Sequence, residues 1–174
     1  MRRVVTGMTA AGKSVFVNDG AAEPITVAMV PGVEWYEIWG GDAVPRLPSD
    51  GSPPEAQAYF PPASGFRFGF FTVPPAGMAP PADLDMDAAV AEVNEKLPGL
   101  LEVQEADNPG MHRTDTIDYI VVMSGEVSLE LDDGKVVDLR PGDCVVQNGT
   151  RHAWRNTSNA PCFMAYAIVG ARRT

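Results

Sequence analysis

Glycine and proline punctuate this chain so often that few segments are long enough to form a helix. With 17 glycines and 16 prolines in 174 residues, the apolar runs between turn signals are short. Most are rich in β-branched or aromatic side chains, the composition that suits a pleated, half-buried strand. The reading is an all-β chain. In the first half, strands are expected near Ser14–Asn18, Ile25–Val30, Glu34–Trp39 and Phe66–Val73, bounded by turn chemistry such as Asn18-Asp19-Gly20 and Pro31-Gly32. The segments 45–62 and 74–81 hold too many prolines to pair in a ladder and read as loops.

One helix is expected over Met86–Leu97. Asp83, Asp85 and Asp87 favour its positive N-terminal end, Val90, Val93 and Leu97 share a face, and Pro98-Gly99 stops it. The second half is more regular. Val127, Leu129 and Leu131 alternate with Ser128, Glu130 and Asp132 before an Asp132-Asp133-Gly134 turn, which predicts a hairpin returning over Val136–Leu139. Further strands are expected at Cys144–Gln147 and Phe163–Val169. Evenly spaced short strands point to a sandwich or barrel, and closure removes the exposed edges that invite aggregation.

The length suits one domain with one core. A formal charge of -10 repels phosphate backbones and anionic lipid surfaces, which disfavours nucleic acid and membrane partners. Arg2, Arg3, Arg172 and Arg173 read as solvated charges. Cys144 and Cys162 are unpaired by spacing and lie in apolar runs, where cysteine behaves as a small hydrophobe. With no apolar leader visible in MRRVVTGMTAAGKS, the expected location is cytoplasmic.

Two stretches carry the candidate chemistry: PGMHRTDTIDYIVVMSGEVSLELDDG from Pro109 and LRPGDCVVQNGTRHAWRN from Leu139. They resemble the two motifs of the cupin superfamily. His112, Thr114, Asp118 and Gly125 stand at the first motif's H-x-H, Glu and Gly positions, and Pro141-Gly142-Asp143, Gly149, His152 and Asn156 match the second. The resemblance implies a single jelly-roll-like cupin β-barrel with an N-terminal β extension and one short helix. Residues 1–105 would form N-terminal strands, loops and helix, and residues 106–170 the barrel core. The sequence departs from the motifs at Thr114, Asp118 and Gln147, and the second motif is one residue shorter after Gly142.

Strand parity places His112, Thr114, Thr116, Asp118, Ile120 and Val122 on one face if the strand is unbroken. The resemblance implies that His152 faces His112 across the barrel. The expected catalytic set is His112, His152 and Asp118, with Thr114, Thr116, Gln147, Trp154 and Arg151 around a substrate. Two imidazoles and a carboxylate suit iron, manganese, nickel or zinc, while histidine also serves acid–base chemistry without a metal; both versions stay open. Tyr119, of opposite parity, should pack outside the cavity.

The functional expectation is a small-molecule enzyme acting on a carbonyl-bearing or aromatic metabolite by decarboxylation, dehydration, isomerisation or oxygenation. A sensor that only binds a small molecule is the alternative. A structural cupin of the seed-storage kind is a third, disfavoured by length. The resemblance also implies a homodimer paired through outer β surfaces.

Overall fold

A computed structural model describes residues 1–174. The strands, in chain order, are β1 (Arg2–Met8), β2 (Ser14–Ala21), β3 (Trp35–Gly41), β4 (Phe66–Val73), β5 (Thr116–Ser124), β6 (Val127–Glu130), β7 (Val136–Leu139), β8 (Cys144–Asn148), β9 (Ala153–Arg155) and β10 (Cys162–Gly170), with one helix, α1 (Met86–Lys96). They form a five-stranded sheet in the order β3-β4-β10-β5-β8, a three-stranded sheet β7-β6-β9 and a separate hairpin β1-β2. Every pairing is antiparallel. The all-β cupin architecture expected from the sequence is the one observed. No helix is long and apolar enough to cross a membrane.

Alternation along β5 and β10 builds the core. Ile120 and Val122 from β5 meet Cys162, Met164, Tyr166 and Ile168 from β10, and Val127, Leu129 and Leu139 of the smaller sheet close over them. Because successive side chains leave opposite faces of a strand, the intervening residues of β5 and β10 point outward. The hairpin after β6 turns where Asp133 and Gly134 both have positive φ (60° and 66°), the backbone a tight antiparallel reversal requires. Gly125, before β6, has φ 77°, and a Cβ there would lie 2.5 Å from the carbonyl oxygen of Pro161.

A second, smaller cluster of Val27, Trp35, Tyr59, Val93 and Leu97 joins α1 to the edge of the large sheet. Asp85 caps the helix by accepting from the Ala88 N–H. The buried stripe is Ala89, Val93 and Leu97, spaced by four; Val90, expected on that stripe, is exposed.

Two further expectations change. The run Ile25–Val30 is not a strand: only Ile25 forms a bridge, with Trp35. Beyond it α1 replaces the ladder, since Lys96 Nζ donates to the Thr26 carbonyl at 2.8 Å and the Ala28 N–H donates to Glu92 at 2.8 Å. Cys162 is fully buried as expected, but Cys144 is exposed, because it falls on the outward parity of β8 opposite Val121.

Candidate active site

His112 and His152 are neighbours in a ladder. Their backbones exchange both hydrogen bonds at 2.9 Å, so the two residues form a hydrogen-bonded antiparallel pair with side chains on one side. Their ring centroids are 4.3 Å apart. The expectation that they face each other across the barrel is therefore corrected. His112 and the residue immediately before β9, His152, lie side by side as an antiparallel bridge, and the imidazoles share one patch of wall. The strand is also interrupted between His112 and Thr116, although burial still alternates from Thr114 through Thr116, Asp118 and Ile120 to Val122.

Each imidazole is oriented by a backbone carbonyl two residues earlier. His112 Nδ1 lies 3.0 Å from the Gly110 oxygen, and His152 Nδ1 lies 2.9 Å from the Thr150 oxygen. A carbonyl only accepts, so both Nδ1 atoms carry the proton and both Nε2 atoms keep a free lone pair. Neither Nε2 has a protein partner, and neither is sealed from the cavity: among buried side-chain atoms only Arg3 Nε lacks a partner. Burial holds both imidazoles neutral. It lowers His112, and with the His112 charge as a second cause it brings His152 down to about 4.

Asp118 is 5% exposed. Burial raises its carboxyl to about 6, against the opposing hydrogen bond from Thr116. Thr116 Oγ1 donates to Asp118 Oδ1 at 2.6 Å and lies 2.7 Å from Thr114 Oγ1, so the two hydroxyls form a short chain ending on one carboxylate oxygen. The other oxygen is open to the cavity. At pH 7 the group is mostly ionised beside two neutral imidazoles.

The cavity they share has a volume of about 210 Å³, and His112, Asp118 and His152 all line it. Six aromatic side chains, Trp35, Tyr59, Phe60, Phe71, Trp154 and Tyr166, stand in its walls among mostly aliphatic neighbours. Trp154 Nε-bearing ring meets the His152 ring edge-on at 5.8 Å between centroids, so this expected pocket residue is in the wall. Trp35, Tyr59, Phe71 and Tyr166 were not singled out for the site. For Tyr166 the usable signal was parity within the final apolar run; Tyr59 reaches the cavity from a proline-rich loop and left none.

The other expected site residues are placed elsewhere. Thr114 and Thr116 are buried on the same side as Asp118 but do not line the cavity; their hydroxyls are spent on each other and on Asp118. Gln147 stands opposite Asp118 in the β5–β8 ladder, buried, with its amide donating to Thr150 Oγ1 at 2.6 Å. Arg151 points outward, the parity opposite to His152. It is held by Glu105 through two bonds of 2.6 Å and by Asp132 at 3.0 Å. Its guanidinium is engaged on the outer surface and does not line the cavity.

The two Nδ1-anchored imidazoles have the orientation that metal-bound histidines use. A complete donor set is nevertheless not assembled: no group of three or more His, Cys, Asp or Glu side chains lies close enough to hold one ion. Asp118, shorter by a methylene than the glutamate of the motif and tied to Thr116, does not join the pair.

Residues 99–169 match the family model described as a cupin domain. Those residues therefore form a cupin domain. The chain is similar to several curated fungal proteins. It is 38% identical over 102 residues to the oryzines biosynthesis cluster protein J of Aspergillus oryzae, covering 55% of this chain and 57% of that one. It is 47% identical over 60 residues to the phomopsin biosynthesis cluster protein C' of Diaporthe leptostromiformis, covering 34% and 32%. With the cupin-domain-containing oxidoreductase srdB of Neurospora crassa it shares 42% over 60 residues, covering 34% and 31%. The chain thus spans from about a third to a little over half of the length of these relatives.

Proposed function

We propose that this cupin is a small-molecule enzyme that transfers protons on a carbonyl-bearing or aromatic metabolite, in the manner of an isomerase or lyase. One observation carries the reading: two neutral imidazoles with bare Nε2 atoms and a carboxylate with a free oxygen open into the same aromatic-walled cavity. Groups of that kind left without partners in a buried space are satisfied by a ligand bearing O–H or N–H donors. The aromatic walls favour a flat substrate. That several relatives are named oxidoreductases or biosynthesis cluster proteins supports an enzyme in general.

In this reading the Nε2 atoms of His112 and His152 accept from an enol or phenol hydroxyl and fix its orientation. Asp118, ionised at neutral pH, takes the proton of an activated C–H bond next to the carbonyl. A general base contributes most when its pKa is near the working pH, and a buried carboxyl at about 6 meets that condition.

The test is deuterium incorporation, followed by NMR, into a panel of small aryl β-dicarbonyl and phenolic ketone compounds in heavy water with a chelator present. The wild type should exchange the activated position, and Asp118→Asn and His152→Gln should each slow it by at least about 100-fold. Binding without exchange would make the domain a ligand-binding module. Exchange only after addition of iron, manganese, nickel or zinc would move the chemistry to a metal. Either result, or no exchange with any compound, overturns the proposal.

A further inference from the structure

A second cleft, of about 370 Å³, lies around the free edge of β3, where the proline-rich segment 53–59 and the end of α1 meet the large sheet. Its volume is within the range of about 300–1,000 Å³ that small-molecule sites occupy. The cleft contains none of His112, His152 and Asp118, yet it adjoins their cavity. Tyr59 and Tyr166, whose ring centroids are 6.4 Å apart, stand in the walls of both spaces and are the only residues the two have in common. Gly69 makes this partition possible. A Cβ there would lie 2.5 Å from the Tyr166 hydroxyl, so the tyrosine extends over the bare backbone of β4, opposite Glu37 of β3.

The charged groups of the cleft divide into two sets. Arg67 is buried and structural: its N–H groups donate to the carbonyls of Ala58, Gly41 and Phe66 and to Asp42, which leaves it no free donor. Lys96 is held by Glu92 and the Thr26 carbonyl. Arg3 and Glu37 are different. Both line the cleft, and no ion pair of the chain includes either. Arg3 Nε is the one buried side-chain polar atom without a partner, a destabilising state for a group built to hold a planar anion in a two-pronged grip. Glu37 accepts no hydrogen bond; partial enclosure raises its carboxyl, with the Arg67 charge opposing. A cation placed beside it would be screened less than in open water.

We propose that this cleft binds a zwitterionic amino acid with an aromatic side chain, its ammonium on Glu37 and its carboxylate on the Arg3 guanidinium. Two unlike charges that open into one cleft without joining leave room for a molecule that carries both signs. Trp39, Tyr59, Phe68 and Tyr166 supply the faces for its ring. The charge balance selects this class. A simple amine leaves Arg3 without an anion, and a simple anion must approach Glu37 in a chain of net charge -10.

The test is isothermal titration calorimetry of the full chain at pH 7 with L-phenylalanine and L-tryptophan, each up to about 10 mM, a ceiling that detects millimolar affinity. At least one should bind. Its N-acetyl derivative, which lacks the ammonium, and its primary amide, which lacks the carboxylate, should each bind at least about 10-fold more weakly. Glu37→Gln and Arg3→Gln should weaken the amino acid by the same margin, with far-UV circular dichroism unchanged. In Glu37→Gln the amino acid and its N-acetyl derivative should then bind alike, and in Arg3→Gln the amino acid and its amide, which ties each charge of the ligand to one residue. His152→Gln should keep the wild-type affinity. Absence of binding by both amino acids overturns the proposal, as does full affinity in both cleft variants. A loss confined to His152→Gln would place the ligand in the other cavity and overturns it equally. None of these measurements depends on proton exchange, so their outcome is independent of the chemistry assigned to Asp118.

Discussion

Thr116 donates its hydroxyl to Asp118 across 2.6 Å in a setting where both residues are almost fully buried. That bond opposes the effect of burial on the carboxyl. Thr116→Val should therefore raise Asp118 above about 6 and, by removing a hydrogen bond to a charged group, destabilise the protein by about 1.5–3 kcal/mol at neutral pH. Carboxyl titration by carbon-13 NMR reads the first effect and urea unfolding the second. An unchanged or lowered Asp118 titration would show that the hydroxyl does not act on it.

The metal-free protein should respond to acid through two opposed groups. Asp118 is raised from 3.8 to about 6, so the folded state binds more protons than the unfolded one and stability falls as pH rises through that window. His152 is lowered from 6.5 to about 4, so stability instead rises with pH between those values, and the lowered His112 acts in the same direction. The Asp118 and His152 shifts each correspond to about 3 kcal/mol. Asp118→Asn should consequently steepen the loss of stability between pH 6.5 and 4.5, and His152→Gln should flatten or reverse it. Urea midpoints at the two pH values, with chelator, check the signs; equal slopes in both variants would refute the pairing.

Arg151 is bound outside the cavity by Glu105 and Asp132, and partly exposed ion pairs contribute little. Arg151→Ala should change stability little and leave ligand affinity within about twofold. Calorimetry with any bound compound tests this, and a tenfold loss would return Arg151 to the site.

Gly125 combines a positive φ with close approach to Pro161 and Cys162. Gly125→Ala should destabilise by about 2 kcal/mol or more, since both backbone strain and a displaced neighbour contribute. Thermal unfolding measures it; a melting temperature equal to wild type would mean the loop relaxes freely.

The regular second half was legible because alternation and turn chemistry agree. The Asp132-Asp133-Gly134 reversal, the inward series from Thr114 to Val122 and the outward Tyr119 all follow from a period of two. Ile25–Val30 misled because the backbone groups of Thr26 and Ala28 are satisfied by Lys96 and Glu92, side chains far along the sequence that no local pattern exposes. The first strand, Arg2–Met8, has the same difficulty in reverse: Gly7 and two arginines disguise it, and it forms against β2 at the molecule's edge. In the site, parity gave Asp118 its inward position. It could not give the lateral pairing of His112 with His152, which depends on how two distant segments register, nor Tyr59 and Phe60, which reach the cavity from a proline-rich loop.

The central place of β10 in the large sheet also governs how the protein acquires its structure. Its partner β4 lies roughly ninety residues earlier, so long loop closure precedes the pairing, a topology associated with slow folding. Until that strand arrives, Phe66, Phe68, Phe70 and the inner face of β5 lack the neighbour that aligns them. Nascent chains paused in this interval present two unpaired apolar edges at once. Expression yield should thus depend more on temperature and synthesis rate than the stability of the finished barrel would indicate.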